Sequence, residues 1–99
     1  MVVIAGYFRV PGGVNGEFMP HLKNYVSAVR GEPGCREFNF AVDVDDPELI
    51  RAFEIFNDRA AFDAHGQTPH LAAWKLTRAK YGVTERVINL YDVSSIEAV

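Results

Sequence analysis

Two of the chain's three histidines, His65 and His70, and its only tryptophan, Trp74, fall in one stretch from Phe56 to Gly82. Imidazole is the side chain whose charge changes near neutrality, so two of them close together are candidates for moving protons to and from a small molecule. Their positions are set by local signals. Asp58 is a good N-cap for a first helix reaching about His65, and Thr68 followed by Pro69 is the cap-then-N1 signature of a second helix ending at Gly82. Within the second helix His70, Trp74, Thr77 and Tyr81 recur at helical spacing, which puts the His70 imidazole beside the Trp74 indole. His65 ends one helix, near its carbonyls, and His70 begins the next, near exposed N–H groups, so the two rings stand in different electrostatic settings.

Each of these residues also has a plain structural reading. An imidazole near a helix end often only bonds loop backbone, and a tryptophan at helical spacing is first a packing residue. Phe38 and Phe40 read as core, and His21, off the apolar stripe of its helix, as solvated. Cys35 reads as a small buried hydrophobe, and Glu32, Pro33 and Gly34 as turn chemistry.

The elements that must position these groups follow in order. Residues 2–10 are β-branched and aromatic, with Val2, Ile4, Phe8 and Val10 on the more apolar face, and end at Pro11-Gly12-Gly13. From about Asn15 to Arg30, Phe18, Leu22, Tyr25, Val26 and Val29 make an amphipathic helix that Gly31 stops. Arg36 to Val44 alternates as a half-buried strand, and after Asp45-Asp46-Pro47 a further strand runs from Leu49 to Asn57, with Leu49, Phe53 and Ile55 set against Ile50, Ala52, Glu54 and Phe56. Thr84 to Val93 reads as the last strand.

The order βαββαβ predicts an α+β, ferredoxin-like domain over residues 1–99, a four-stranded antiparallel sheet with helices on one face. The other face is expected to mix Tyr7, Ala41, Ile50, Ala52 and Phe56 with Arg9, Glu37, Asn39 and Glu54, a composition suited to a sheet-to-sheet homodimer.

With 99 residues, 48% of them apolar, the chain supports one core. A net charge of -3 with scattered Lys and Arg argues against a nucleic-acid surface. No apolar run spans a bilayer and no leader is evident at Met1 to Phe8, so a cytoplasmic protein without membrane contact is expected. One cysteine and the absence of zinc-type spacings predict neither an internal disulfide nor a metal site.

Glu32-Pro33-Gly34-Cys35 before a strand, a strand ending in Glu54 and Phe56, and Ala61-Phe62-x-Ala64-His65-x-Gln67-Thr68-Pro69-His70 together resemble the antibiotic biosynthesis monooxygenase (ABM) family, particularly its quinol-monooxygenase-like members. The resemblance implies a dimeric α+β barrel and a cofactor-free monooxygenase that oxidises a small quinol, phenol or anthrone with O2. On that reading the substrate is deprotonated to an anion able to pass an electron to O2. His70 or His65 would be the base, Trp74, Phe38 and Phe40 would stack on the ring, and Asn39, Tyr7 or Tyr81 would donate to the oxyanion. Related haem-degrading enzymes are similar to the chain in fold, but their Asn, Trp and His sites hold Tyr7, His65 and Trp74 here. A small-molecule isomerase using histidine acid–base chemistry and a non-catalytic ligand-binding dimer remain alternative readings.

Overall fold

The computed structural model describes residues 1–99. Strand β1 (Val2–Arg9) is followed by helix α1 (Phe18–Arg30), strands β2 (Cys35–Val42) and β3 (Leu49–Phe56), helices α2 (Arg59–His65) and α3 (Pro69–Lys80), and strand β4 (Thr84–Asp92). The sheet order is β2-β3-β1-β4 with every neighbouring pair antiparallel. This is the ferredoxin-like arrangement, and no helix is long and apolar enough to cross a membrane.

The caps fall where side-chain chemistry puts them. Asp58 accepts from the Ala61 N–H at 2.8 Å, Thr68 accepts from the Leu71 N–H at 3.3 Å, and Pro69 opens α3 where its missing donor costs nothing. Helix α1 begins at Phe18, the first residue of its apolar stripe, rather than near Asn15. Asn15 stands before it, its side-chain oxygen taking the Glu17 and Phe18 N–H groups at 3.0 Å each.

The core lies between the helices and one sheet face. Val2, Ile4 and Phe8 of β1, Phe38 of β2, Phe18, Tyr25 and Val29 of α1 and Trp74 of α3 are all buried in it. Strand β3 corrects the expected facing. Ile50, Ala52, Glu54 and Phe56 point toward the helices and are buried, whereas Phe53 is exposed on the other side. Both sets of alternating residues on β3 are largely apolar, so its own pattern is ambiguous. Pairing settles it: Val2 stands opposite Phe56, Ile4 opposite Glu54 and Phe8 opposite Ile50, and directly opposed residues share a face. Strand β2 also stops at Val42, leaving Val44 97% exposed rather than half-buried in a strand.

The turn between α1 and β2 does more than reverse the chain. A Cβ on Gly34 would lie 2.3 Å from the Ala61 Cβ, so only glycine lets α2 approach the turn this closely. Gly34→Ala is therefore expected to destabilise the fold by about 1–3 kcal/mol, the range for forcing an extra methyl into packed space. Gly16→Ala, where a Cβ meets nothing within 4 Å, is the control. Urea unfolding of the two variants beside the parent protein checks this.

Candidate active site

Glu32, the last residue before that turn's proline, is where the two histidines meet. Its Oε2 lies 2.9 Å from His65 Nδ1 and 2.6 Å from His70 Nε2. A carboxylate only accepts, so both imidazoles donate to it. His65 Nδ1–H is thereby committed, and its Nε2 is left as an acceptor facing the Tyr25 hydroxyl at 3.4 Å. His65 is buried with the Glu32 side chain nearly so, while His70 keeps partial contact with solvent. The three donor atoms lie within 4.8 Å of one another and have the composition of a two-histidine, one-carboxylate metal set. In the arrangement seen, the shared oxygen sits at hydrogen-bond distance from both nitrogens. A metal with bonds of about 2.1 Å would have to replace both hydrogen bonds.

The ring that lies flat on Trp74 is Tyr25, not His70, with centroids 4.7 Å apart and planes 1° from parallel. This stack divides the space under the helices. On one side is a cavity of about 360 Å³ walled by Phe8, Phe40, Tyr25 and Trp74 and reached by His65, Glu54, Arg78 and Arg86. On the other is a groove between α1 and α3 lined by His70, His21 and Asn24. A larger apolar groove of about 490 Å³ runs between α1 and the β2 edge, but no histidine or carboxylate lines it, so the smaller cavity is the candidate site.

Glu54 is the second titratable group in the cavity. It projects from β3 toward the helices, is only 6% exposed, and makes no ion pair or hydrogen bond with its side chain. Burial pushes its carboxyl up to about 7, against a partial opposing pull from Arg86 and with a further push from Glu32. Tyr25 is likewise raised by burial, with Glu54 adding to it, so its phenol stays protonated as a donor.

Several residues singled out by sequence lie elsewhere. Tyr7 is on the opposite sheet face, 5.5 Å beneath the Arg51 guanidinium. Asn39 is held at the sheet edge, accepting from Arg30 and donating to Glu37. Tyr81 packs on Phe18 and donates to Glu17 at 3.1 Å, at the far end of α1. Phe38 is buried behind the cavity, edge-on to Tyr25. Phe40, Trp74 and His65 reach the cavity, while His70 lies behind the stack. Glu32, Tyr25 and Glu54 were missed as site groups. For Glu54 a signal existed, a lone charge in phase with Ile50, Ala52 and Phe56, but it becomes readable only once β3's facing is known.

An unpaired carboxylate facing a cavity should weaken the fold as it ionises. The folded pKa of about 7 lies above the ordinary 4.5, so the group's favourable contribution is complete below pH 4.5 and is lost as pH rises through 7. Glu54→Gln removes this loss. Between pH 4.5 and pH 8 the stability of the variant relative to the parent should rise by up to about 3 kcal/mol, the linkage equivalent of that shift. Urea unfolding at the two pH values measures it.

Residues 1–76 match the family model described as antibiotic biosynthesis monooxygenase. A Synechocystis protein, sll1783, is 33% identical over 69 residues, covering 70% of this chain and 47% of its own length, so the chain spans about half of that relative. Among solved structures, a Deinococcus radiodurans protein assigned to the antibiotic biosynthesis monooxygenases superposes with a TM-score of 0.82 at 20% identity, over 100% of this chain and 98% of that one. Rv0793 of Mycobacterium tuberculosis gives 0.68 at 23% identity, over 98% and 95%. At such identities the structures speak for the fold alone, but the sequence match covers most of the chain, and the chain belongs to the antibiotic biosynthesis monooxygenase family.

Proposed function

We propose that the chain is a cofactor-independent monooxygenase that oxidises a small electron-rich aromatic, a quinol, phenol or anthrone, with O2 in the cavity beneath the Tyr25–Trp74 stack. The observation that carries this reading is His65. Its Nδ1–H is fixed on Glu32, and its Nε2 is an acceptor at an aromatic-walled cavity, engaged only by a long 3.4 Å bond from the Tyr25 hydroxyl that a substrate hydroxyl would displace. A base held in one tautomer by a carboxylate is the arrangement proton abstraction requires.

For a naphthoquinol the steps balance without a further reductant. His65 Nε2 takes the hydroxyl proton. The anion gives one electron to O2, the resulting radical pair joins at a ring carbon as a peroxide, and loss of water leaves the hydroxyquinone. One quinol and one O2 thus give one hydroxyquinone and one H2O. The aromatic walls give the ring an apolar surface to lie on, and Glu54, protonated on the acid side of about 7, can supply the proton that the departing oxygen needs. His70 acts through Glu32 as a positioning residue rather than at the substrate.

An isomerase would draw on the same His65 and Glu54 pair, but a lining with five aromatic side chains suits a ring better than a polar sugar-like molecule. The proposal includes a homodimer formed through the helix-free sheet face. Phe53, Val87 and Tyr91 are exposed there, and Ala5, Val3 and Tyr7 lie beside them in register.

Oxygen consumption with reduced naphthoquinols and anthrones, corrected for autoxidation, tests the chemistry. His65→Gln should lower turnover by about 10²–10⁴-fold, the usual contribution of a general base, with Glu32→Gln and His70→Ala lowering it less. Uptake that never exceeds background, or His65→Gln at the full rate with its circular dichroism unchanged, would sink the oxygenase reading. Phe53→Asp should give a monomer by sedimentation where the parent gives a dimer.

A further inference from the structure

The arginines of this chain divide into two groups. Arg9 pairs with Asp46 and Glu85, Arg51 with Asp43 and Arg59 with Asp63. Arg30 donates to the Phe38 carbonyl and Asn39, and Arg36 contacts the Met1 sulfur. Arg78 and Arg86 alone have no side-chain partner, and both line the candidate cavity. Lys75 stands at the same wall, and Glu54 is the only acid there.

Arg78 is part-buried on α3, and burial together with the nearby Arg86 disfavours its charge. A guanidinium presents five donors in a rigid fork suited to a planar anion, and two such forks line one cavity, Arg78 part-buried and Arg86 exposed at its rim, with Glu54 the one carboxyl there and bonded to neither, which makes an anion site in a chain of net charge -3. The position along the cavity fits a second requirement. His65 packs on Phe56, 5.1 Å between centroids, and Phe56 stands opposite Val2 at one end of β1. Arg86 immediately precedes Val87, which stands opposite Tyr7 toward the other end. Base and cations therefore sit at opposite ends of an aromatic-walled space.

Building on the substrate site proposed above, we infer that the molecule it takes is an aromatic acid. Its ring lies in the cavity against Phe8, Phe40 and Trp74, its phenolic oxygen points to His65, and its anionic arm is clasped by Arg78 and Arg86. The shared chemistry is a compact anion on an aromatic ring, whether carboxylate or sulfonate. Fixing that arm would also orient the hydroxyl at the base, since a ligand held at two ends of a cavity has little freedom to turn.

Isothermal titration calorimetry with the intact protein tests this without turnover. The probes are 6-hydroxy-2-naphthoate, 6-hydroxy-2-naphthalenesulfonate, the methyl ester of the first, and 2-naphthol. The naphthoate should bind at least about tenfold more tightly than its neutral ester, a modest return for charge-assisted bonds. The advantage should shrink in 0.5 M NaCl, largely disappear in Arg78→Gln and in Arg86→Gln, and survive in part in Arg86→Lys, while 2-naphthol binds the parent and all variants alike. Comparable binding of naphthoate and sulfonate would mark a general anion clasp, and naphthoate alone a carboxylate fork, either outcome supporting the inference. Equal affinity for acid and ester, or an acid preference untouched by both glutamine variants, overturns the clasp and leaves the cavity as a site for neutral rings. If none of the four ligands binds, the substrate site itself falls and the clasp with it.

Discussion

One carboxylate oxygen ties together the helical layer. Glu32 Oε2 takes a proton donor from the end of α2 and another from the start of α3, while Glu32 itself hangs from the turn that carries α1 into β2. Three segments that share no backbone hydrogen-bond ladder are thus joined at a point, in a setting where part of the water has been removed and charge-assisted bonds count for more than at a surface. The turn can bring the carboxylate there because Gly34 has no side chain to hold α2 away. A packing constraint in the turn and the tautomer of a buried histidine are consequently one structural fact.

The Tyr25–Trp74 stack depends on the same closure. With α1 and α3 drawn together, the two rings lie parallel and separate the cavity from the groove behind it. The two histidines bonded to one carboxylate then differ in surroundings: His65 turns its second nitrogen toward the cavity side, and His70 belongs to the groove. A linear route of hydrogen bonds, Tyr25 to His65 to Glu32 to His70, connects an interior polar group with one that solvent reaches. On the proposed chemistry, this route would carry a proton removed inside toward solvent.

Stability and chemistry pull in opposite directions around the cavity. Phe8, Phe18, Phe38 and Phe56 are fully packed and account for much of the apolar burial, yet the same sheet face holds Glu54 without a partner and meets two arginines without counter-ions. Structural carboxylates are normally neutralised by a bond, as Asp43 and Asp46 are, both held low by backbone N–H groups and arginines. Groups left uncompensated on an otherwise well-satisfied scaffold are where a ligand's own charge and hydrogen bonds have work to do.

The sequence alone determined what is decided within a few residues. Asp58, Thr68 and Pro69 fixed the starts of α2 and α3, alternation and turn residues marked the strands, and the βαββαβ order fixed the layer arrangement, because capping, periodicity and turn chemistry act locally. That His65 and Trp74 would stand near each other was legible for the same reason, since they lie on elements whose limits were legible, and both line the candidate cavity. Only the tertiary structure decided the rest. Glu32 meets its partners 33 and 38 positions away, and nothing in a Glu-Pro-Gly turn distinguishes a hub from a loop. Strand β3 carries apolar residues on both faces, so its facing came from its hydrogen-bonded register with β1, and with it came the burial of Glu54 and the outward turn of Phe53. Tyr7, Asn39 and Tyr81 left the site for a like reason: which side of a sheet, or which end of a helix pair, a residue joins is a property of pairing between distant segments.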